Sequence, residues 1–125
     1  MNKKALIVDD ALFMRNYIRE ILKKAGFDIC AEASTALEAV NKYKQLRPDL
    51  ITMDIIMPKI EELDGIGAIK EIVEFDPKAK VIVISAIGEE HLVTEANRYG
   101  VKAFIIKPFK PQHLLDKVNE IFLQI

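Results

Sequence analysis

Short apolar runs alternate with amphipathic stretches along the whole chain. Five of these runs are four or five residues long and rich in Ile, Val, Leu and Ala; they cover residues 5–8, 29–33, 50–53, 81–84 and 103–106. Most of them are apolar at every position rather than at alternate positions. Strands of this composition are buried on both faces, as the strands of parallel sheets are. The pattern therefore predicts five buried, parallel strands.

The stretches between and after these runs carry apolar residues at intervals of three and four, which is the period of an amphipathic helix. Residues that start or stop helices flank each stretch, including Gly26 at one end and Pro111 at the start of the last stretch, where its missing N–H costs nothing. Five helices are therefore expected. Their starts and ends are, in chain order, Asp10 to Gly26, Ser34 or Thr35 to about residue 46, Asp64 to before Pro77, roughly residues 89–99, and Pro111 onward.

The strict alternation of strand and helix predicts an α/β fold, with a parallel sheet covered by helices on both faces. Five strand–helix units are too few for an eight-stranded barrel, so we expect an open, doubly wound sheet. The 125 residues have the size of one domain. Neither a linker nor a repeat interrupts them, and we expect residues 1–125 to form a single domain without an output domain.

Polar side chains follow four of the five predicted strands. Asp9 and Asp10 follow the first strand, and Asp54 follows the third. Ser85 ends the fourth strand and Lys107 follows the fifth. Open α/β sheets bind their ligands outside the carboxyl ends of the strands. We therefore expect three carboxylates, one hydroxyl and one ammonium group to share a single cleft.

These residue types suit a divalent cation and a phosphoryl group. Carboxylates without His or Cys favour Mg²⁺ or Mn²⁺ over zinc, with Asp10 and Asp54 as ligands and Asp9 behind them. A carboxylate beside a cation and a lysine also acts as a nucleophile toward phosphorus, and Ser85 is placed to donate a hydrogen bond to the phosphoryl group. Two structural alternatives stay open here. Asp9 and Asp10 would cap the following helix, and Lys107 would be a surface lysine at a turn.

Composition and charge exclude several classes of protein. The net charge is −1, from 18 basic and 19 acidic residues without a basic patch, which argues against nucleic-acid binding. No apolar stretch approaches the roughly 20 residues of a membrane span, and the N-terminus lacks a secretory apolar region. Cys30 is the only cysteine and is expected in the core, while His91 and His113 are expected at the surface. A cytoplasmic protein without membrane contact is expected.

The polar positions also occur in short motifs that form a recognisable set. The motifs are Asp9-Asp10, Asp54-Ile-Ile-Met57-Pro58, Ser85-Ala86 and Lys107-Pro108-Phe109. Each one is weak alone, but together, over essentially the whole chain, they resemble the receiver domains of two-component response regulators. The chain is most similar to stand-alone receivers of the CheY-like type, and Asp10-Ala-Leu-Phe-Met-Arg15 resembles the chemotaxis regulators among them. The resemblance implies a flavodoxin-like strand order, 2-1-3-4-5.

The resemblance also implies roles at the metal site. Asp54 would accept the phosphoryl group from a sensor histidine kinase. Asp10 and Asp54 would bind Mg²⁺ directly, Asp9 would act through a water molecule, and the backbone carbonyl of Ile56 would be a further ligand. Lys107 would hold the phosphoryl group.

Further roles follow from the same resemblance. Ser85 and Phe104 would occupy the two switch positions, and the peptide bond before Pro108 would be cis. The surface that binds a target would be formed by the fourth helix, the fifth strand and the fifth helix. The chain departs from the usual receiver pattern between Pro58 and Asp64, where five residues stand instead of two. We expect this insertion to lengthen the loop after the third strand by three residues.

The main functional hypothesis is a monomeric, phosphorylation-activated regulator that binds a target protein in chemotaxis or motility, with the flagellar switch as a candidate target. It would not be an enzyme beyond catalysing its own phosphorylation and dephosphorylation. Two alternatives remain. One is a phosphorelay intermediate that passes its phosphoryl group to a histidine phosphotransfer protein. The other is a Mg²⁺-dependent phosphatase with an aspartyl-phosphate intermediate, although such enzymes usually carry a second aspartate where Ile56 stands.

Overall fold

The computed structural model of the protein describes residues 2–57 and 63–123. Strands and helices alternate through this part of the chain, as the sequence predicts. The strands are β1 (Lys4–Val8), β2 (Asp28–Ala33), β3 (Leu50–Met53), β4 (Val81–Ser85) and β5 (Ala103–Ile106). The helices are α1 (Leu12–Lys24), α2 (Ala36–Leu46), α3 (Gly65–Phe75), α4 (Glu90–Arg98) and α5 (Pro111–Phe122).

The five strands form one parallel sheet in the order β2-β1-β3-β4-β5. The predicted fold class and strand order are therefore confirmed. The register aligns Val8 of β1 with Met53 of β3, and Ser85 of β4 with Ile106 of β5. Because neighbouring strands end at nearly the same level, the residues that follow them lie along one edge of the sheet.

Two apolar cores lie on opposite faces of the sheet. On one face β1 and β3 pack against α2, α3 and α4, with Val40, Tyr43 and Ile69 fully or nearly fully buried. On the other face the sheet packs against α1 and α5, through residues such as Leu22 and Leu114. Burial on both faces explains why β3 and β4 are apolar along nearly their whole length.

The helix ends follow local sequence signals. Between the two candidate caps of α2, the structure selects Thr35, whose hydroxyl accepts a hydrogen bond from the Glu38 amide at 3.1 Å. Asp64 caps α3 by accepting from the Gly67 amide at 2.7 Å, and Pro111 is the first residue of α5. Gly26 ends the α1 turn with φ of 95°, a conformation that glycine adopts without strain. Helix α4 is one residue shorter at each end than expected.

Two features of the sequence are only partly visible in the fold. Most of the insertion between Pro58 and Asp64 falls on residues 58–62, which lie outside the described residues. Among the helices that the structure describes, none is both long and apolar enough to cross a membrane.

Candidate functional site

The carboxyl edge of the sheet gathers the five polar side chains that the sequence singles out. Asp9, Asp54 and Ser85 are buried, Lys107 is partly buried, and Asp10 is exposed. Asp9, Asp10 and Asp54 each place one carboxylate oxygen within 4.8 Å of the others. The convergence expected from parallel strand ends is therefore present.

Lys107 joins the two buried carboxylates. Its Nζ donates to Asp9 Oδ2 at 2.7 Å and to Asp54 Oδ2 at 3.0 Å. The peptide bond between Lys107 and Pro108 is cis, as expected. These contacts rule out the alternative in which Lys107 is a surface lysine at a turn.

Burial and charge shift the pKa values of this pair. Burial raises the pKa of Asp54 above its ordinary value, although hydrogen bonds from the Ile56 amide and from Lys107 oppose the shift. Burial also disfavours the charged form of Lys107, but its bonds to Asp9 and Asp54 outweigh that effect and raise the pKa of Lys107. The site therefore keeps the Lys107 ammonium group charged, while burial disfavours the ionised form of Asp54.

Backbone amides hold two of the three carboxylates. Asp9 Oδ1 accepts from the Ala11 amide at 2.9 Å, and Asp54 Oδ1 accepts from the Ile56 amide at 2.8 Å. Helix α3 packs so tightly on this region that a Cβ at Gly65 would lie 2.4 Å from the Cα of Ile55. Across residues 2–57 and 63–123, the Asp10 carboxylate makes no hydrogen bond or ion pair. The amide that Asp9 accepts from belongs to Ala11, the N-cap residue of α1, so neither aspartate caps that helix.

The donor set fits a hard divalent cation. Three carboxylates within 4.8 Å of one another repel, and one ammonium group does not neutralise them. Oxygen ligands without imidazole or thiolate favour Mg²⁺ over softer metals. Within residues 2–57 and 63–123 no group pairs with the Asp10 carboxylate, and the pKa of Asp54 is raised, so both carboxylates would be stabilised by additional positive charge.

The remaining predicted residues lie at the border of this cluster. The Ser85 side chain is buried at the end of β4, where its Oγ accepts from the Ile87 amide at 3.3 Å. Phe104 is partly buried on β5 and packs against the core that contains α4. Ile56 and Ile87 expose 43% and 37% of their surfaces beside the site, so apolar groups border its solvent side.

Sequence reasoning missed two groups that touch the site from outside. Arg15 donates to the carbonyl oxygen of Asp9 at 2.8 Å and is held by Glu32. On the other side, the Tyr17 hydroxyl donates to the carbonyl oxygen of Phe109 at 2.9 Å, two residues after Lys107. Arg15 lies in the first turn of α1, five residues after Asp10, and this proximity in sequence was the available signal. Its pairing with Glu32 on β2 depends on tertiary structure.

The residues expected to lie away from the chemistry do so. His91 and His113 are exposed on α4 and α5. Cys30 is half-buried rather than fully buried; its thiol donates to the Ala5 carbonyl oxygen, and burial raises its pKa.

Comparison with known proteins agrees with this site. Residues 5–119 match the family described as the response regulator receiver domain. The chain is 50% identical over 121 residues to the chemotaxis protein CheY of Thermotoga maritima, covering 97% of this chain and 98% of the relative. It is 48% identical over 120 residues to CheY of Bacillus subtilis, covering 96% of this chain and 98% of the relative.

Solved structures show the same relationship. The CheX–CheY–BeF₃–Mg²⁺ complex from Borrelia burgdorferi contains a chain that is 40% identical, with a TM-score of 0.91, over 98% of this chain and 90% of the other. The response regulator domain of Thermotoga maritima CheB is 34% identical, with a TM-score of 0.86, over 100% of this chain and 99% of the other.

Proposed function

The chain belongs to the response regulator receiver domain family, and on that premise we propose that it is a phosphorylation-activated regulator of chemotaxis. The observation that carries the proposal is the Asp54 carboxylate, buried at the end of β3 and bound to Lys107, with Asp9 and Asp10 close by. The proposal places the protein in the cytoplasm, as a switch that acts by binding a target.

In this proposal the acidic cluster holds Mg²⁺. Asp10 and Asp54 would be the direct carboxylate ligands, Asp9 would act from behind them, and the backbone carbonyl of Ile56 would be the further ligand from the protein. Bound there, Mg²⁺ supplies positive charge to the phosphoryl oxygens. The chain's own contribution is to hold Asp9 and Asp54 in place through Lys107 and the Ala11 and Ile56 amides.

The phosphoryl group is transferred to Asp54 in one displacement. An Asp54 carboxylate oxygen attacks the phosphorus of a kinase phosphohistidine, the P–N bond breaks, and the imidazole leaves and takes up a proton. Lys107 stabilises the charge on the phosphoryl oxygens, which is the main requirement in phosphoryl transfer. Beyond forming and hydrolysing its own acyl phosphate, the chain turns over no substrate.

The phosphoryl group then acts on the end of β4. It adds about −1.5 to −2 charges and accepts charge-assisted hydrogen bonds. The Ser85 hydroxyl, whose oxygen accepts from the Ile87 amide, donates its hydrogen to the phosphoryl group. Phe104 turns inward as the β4–α4 loop moves, and the surface of α4, β5 and α5 changes.

Two classes of partner follow. A sensor histidine kinase docks at the carboxyl edge, and a target protein such as the flagellar switch binds the surface of α4, β5 and α5. On that surface a shallow depression is lined by Glu90, His91, Thr94, Glu95 and Arg98. The Borrelia burgdorferi relative forms a complex with CheX, so a CheX-like protein is a further partner class for this chain.

The alternatives gain less support. An aspartyl-phosphate phosphatase would need an acid where Ile56 stands, and Ile56 cannot donate a proton. For a phosphorelay intermediate, no contact of the described residues favours transfer to a second histidine over binding of a target. The relatives at 50% and 48% identity are chemotaxis proteins.

The functional proposal is tested by incubating the full chain with acetyl phosphate and Mg²⁺. We expect phosphoprotein to accumulate toward one phosphoryl group per chain, with phosphate released only as slowly as that group is lost. The Ser85→Ala variant is the matched comparison, and it should be labelled but should not show the activated amide shifts in β5. Rapid release of many phosphates per chain, without accumulation of phosphoprotein, would instead support the phosphatase hypothesis.

A further inference from the structure

Arg15 connects helix α1 to the loop that carries Asp9 and Asp10. Its Nη1 donates to the carbonyl oxygen of Asp9 at 2.8 Å, and its Nε donates to Glu32 Oε1 at 3.1 Å. The side chains of Arg15 and Glu32 are only 17% and 21% exposed. The guanidinium group therefore bridges β2 and the β1–α1 loop, and the proposed function gives it no role.

The carbonyl that Arg15 holds belongs to the peptide group between Asp9 and Asp10. Because a peptide group is planar, holding its oxygen fixes the plane in which the Asp10 amide lies. The preceding peptide group, between Val8 and Asp9, is already fixed, since the Asp9 amide donates to the Ala33 carbonyl oxygen at 3.0 Å. The direction in which the Asp10 side chain leaves the backbone therefore depends on this bond.

Asp10 needs such support more than its neighbours do. Asp9 and Asp54 are held by Lys107, whereas the Asp10 carboxylate is exposed and has no partner among residues 2–57 and 63–123. We propose that Arg15, anchored by Glu32, is a positioning residue that directs the Asp10 carboxylate toward the divalent cation. This inference rests on the magnesium site of the proposed function.

Glu32 is itself firmly held, which makes it a suitable anchor. Its Oε2 accepts from Arg19 Nη1 at 2.5 Å, and its backbone carbonyl oxygen accepts from Lys42 Nζ at 2.5 Å. A planar guanidinium group can donate to the Glu32 carboxylate and to the Asp9 carbonyl in two fixed directions, which a lysine cannot reproduce. Arg19 shares the carboxylate but makes no bond to Asp9, and the bonds of Glu32 to Lys42 and Arg15 remain when Arg19 is replaced, so Arg19 provides a matched control.

Positioning by Arg15 and the charge of Arg15 would change the Mg²⁺ affinity in opposite directions. Arg15 is a cation near a proposed cation site, so removing its charge would strengthen Mg²⁺ binding if only the electrostatic field mattered. Loss of positioning instead weakens binding, because Asp10 then has to be ordered when the ion binds. The sign of the change in affinity therefore separates the two explanations.

The test measures Mg²⁺ affinity by calorimetry for the full chain and for Arg15→Gln, Arg15→Lys, Arg19→Gln and Arg19→Lys. We expect Kd to rise roughly tenfold in Arg15→Gln, the order found when residues that orient metal ligands are removed. Arg15→Lys should also bind more weakly, because it keeps the charge but loses the two fixed donors. The two Arg19 variants should stay within about twofold of wild type, well below that range.

A second readout uses the metal-free protein. The Ala11 amide donates to Asp9 Oδ1, so its hydrogen exchange reports on the order of this loop. We expect faster exchange at Asp10 and Ala11 in Arg15→Gln but not in Arg19→Gln. If Arg15→Gln is not folded, Arg15→Lys decides both measurements.

The measurements distinguish failure of the proposed metal site from failure of the proposed role of Arg15. A wild-type chain that binds no Mg²⁺ would refute the metal site of the proposed function, and with it the target of this positioning. A wild-type chain that binds Mg²⁺ while the Arg15 variants bind it equally well or more tightly would overturn only the role of Arg15. Unchanged exchange at Asp10 and Ala11 would overturn that role as well.

Discussion

At the scale of single residues, the site depends on one ammonium group shared by two carboxylates. Lys107 lies 2.7 Å from Asp9 and 3.0 Å from Asp54, and both acids are almost completely buried. Water has little access to the two carboxylates, so their charges depend on Lys107. A change in the charge of Lys107, Asp9 or Asp54 is therefore expected to alter the ionisation of the other two groups.

The ionisation of Asp54 should respond to magnesium. Burial raises the pKa of Asp54 above 3.8, so the protonated form persists to a higher pH than in an ordinary aspartate. A bound cation favours the ionised form and lowers the pKa. A ¹³C NMR titration of the Asp54 carboxyl should give a midpoint above 3.8 without metal and a lower midpoint with saturating Mg²⁺. A midpoint that Mg²⁺ leaves unchanged would argue against direct coordination by Asp54.

The raised pKa of Asp54 also determines how this residue affects the free energy of unfolding at different pH values. A carboxyl group whose pKa is raised by folding destabilises the folded state once the pH exceeds its unfolded pKa, and the penalty is complete above the folded pKa. In the metal-free protein, Asp54→Asn should therefore raise the free energy of unfolding at neutral pH. The gain should vanish below about pH 3.8, where the aspartate is protonated in both states. Chemical denaturation at the two pH values checks this, and a loss of stability at neutral pH would show that the bond to Lys107 outweighs burial.

Thr52 offers a separate test within β3. Its Oγ1 is buried, and among the described residues it is the only buried side-chain oxygen or nitrogen without a hydrogen-bond partner. Thr52→Val keeps the shape and removes the unpaired hydroxyl, so we expect stability to rise by about 1 kcal/mol. Thr35→Val is the matched control, because it removes a hydroxyl that caps α2 and should cost about 1 kcal/mol. Equal losses in both variants would mean that the Thr52 hydroxyl has a partner in solution.

At the scale of elements, the sequence predicts what local chemistry determines. The caps Thr35 and Asp64, the first residue Pro111 and the strand ends at Met53 and Ile106 follow from residue types and their spacing. The choice between Ser34 and Thr35 was not decidable, because both residues cap helices well. The hydrogen bond from Arg15 to Asp9 could not be predicted from the sequence either, because it requires β2 to place Glu32 beside α1.

The loops after β3 and β4 should set the lifetime of the phosphoryl group. Ile56 and Ile87 stand two residues after Asp54 and Ser85 and are both partly exposed at the site. Neither can orient a water molecule for attack on phosphorus, so we expect slow loss of the phosphoryl group. Ile56→Asn with Ile87→Glu should accelerate first-order decay of the isolated phosphoprotein, by up to about 100-fold if positioning of water is what is missing. Decay no faster than in wild type would refute this role for the two isoleucines.

The β4–α4 loop and β5 should change together on activation. Ser85 Oγ accepts from the Ile87 amide in this structure, so a Ser85 hydroxyl that donates to a phosphoryl group on Asp54 is coupled to the first residues of the β4–α4 loop. We expect amide shifts from residue 85 to residue 110 when beryllofluoride and Mg²⁺ are added. Ser85→Ala should bind the mimic but lose the shifts around Phe104. Shifts in β5 that persist in Ser85→Ala would place the trigger elsewhere.

At the scale of the whole molecule, the fold and the site are coupled through charge. The sheet brings three carboxylates together, and their repulsion opposes folding until a cation binds. A ligand that binds only the folded state adds about 2.7 kcal/mol at 100 times its Kd. We therefore expect Mg²⁺ to raise Tm by roughly 10 °C, and Asp10→Asn to reduce that rise. A Tm that does not respond up to tens of millimolar Mg²⁺, by the same linkage, would contradict the metal site.

The overall fold could be predicted from the sequence, because strands buried on both faces and the strict alternation of strands and helices are compatible with few arrangements. The convergence of Asp9, Asp10, Asp54 and Lys107 followed from the rule that parallel strands end at one edge. The degree of burial of each group was not predictable. Asp9 and Asp54 are buried while Asp10 is exposed, and this difference depends on how α1 and α3 pack over the strand ends.

The most direct measurement is the chemical location of the phosphoryl group. The full chain is labelled with acetyl phosphate and Mg²⁺ and reduced with borohydride, which converts an aspartyl phosphate to homoserine, and is then mapped by mass spectrometry. The account predicts homoserine at position 54 only, and no conversion in Asp54→Asn or when Mg²⁺ is removed. Conversion at Asp9 or Asp10, or undiminished labelling of Asp54→Asn, would contradict it.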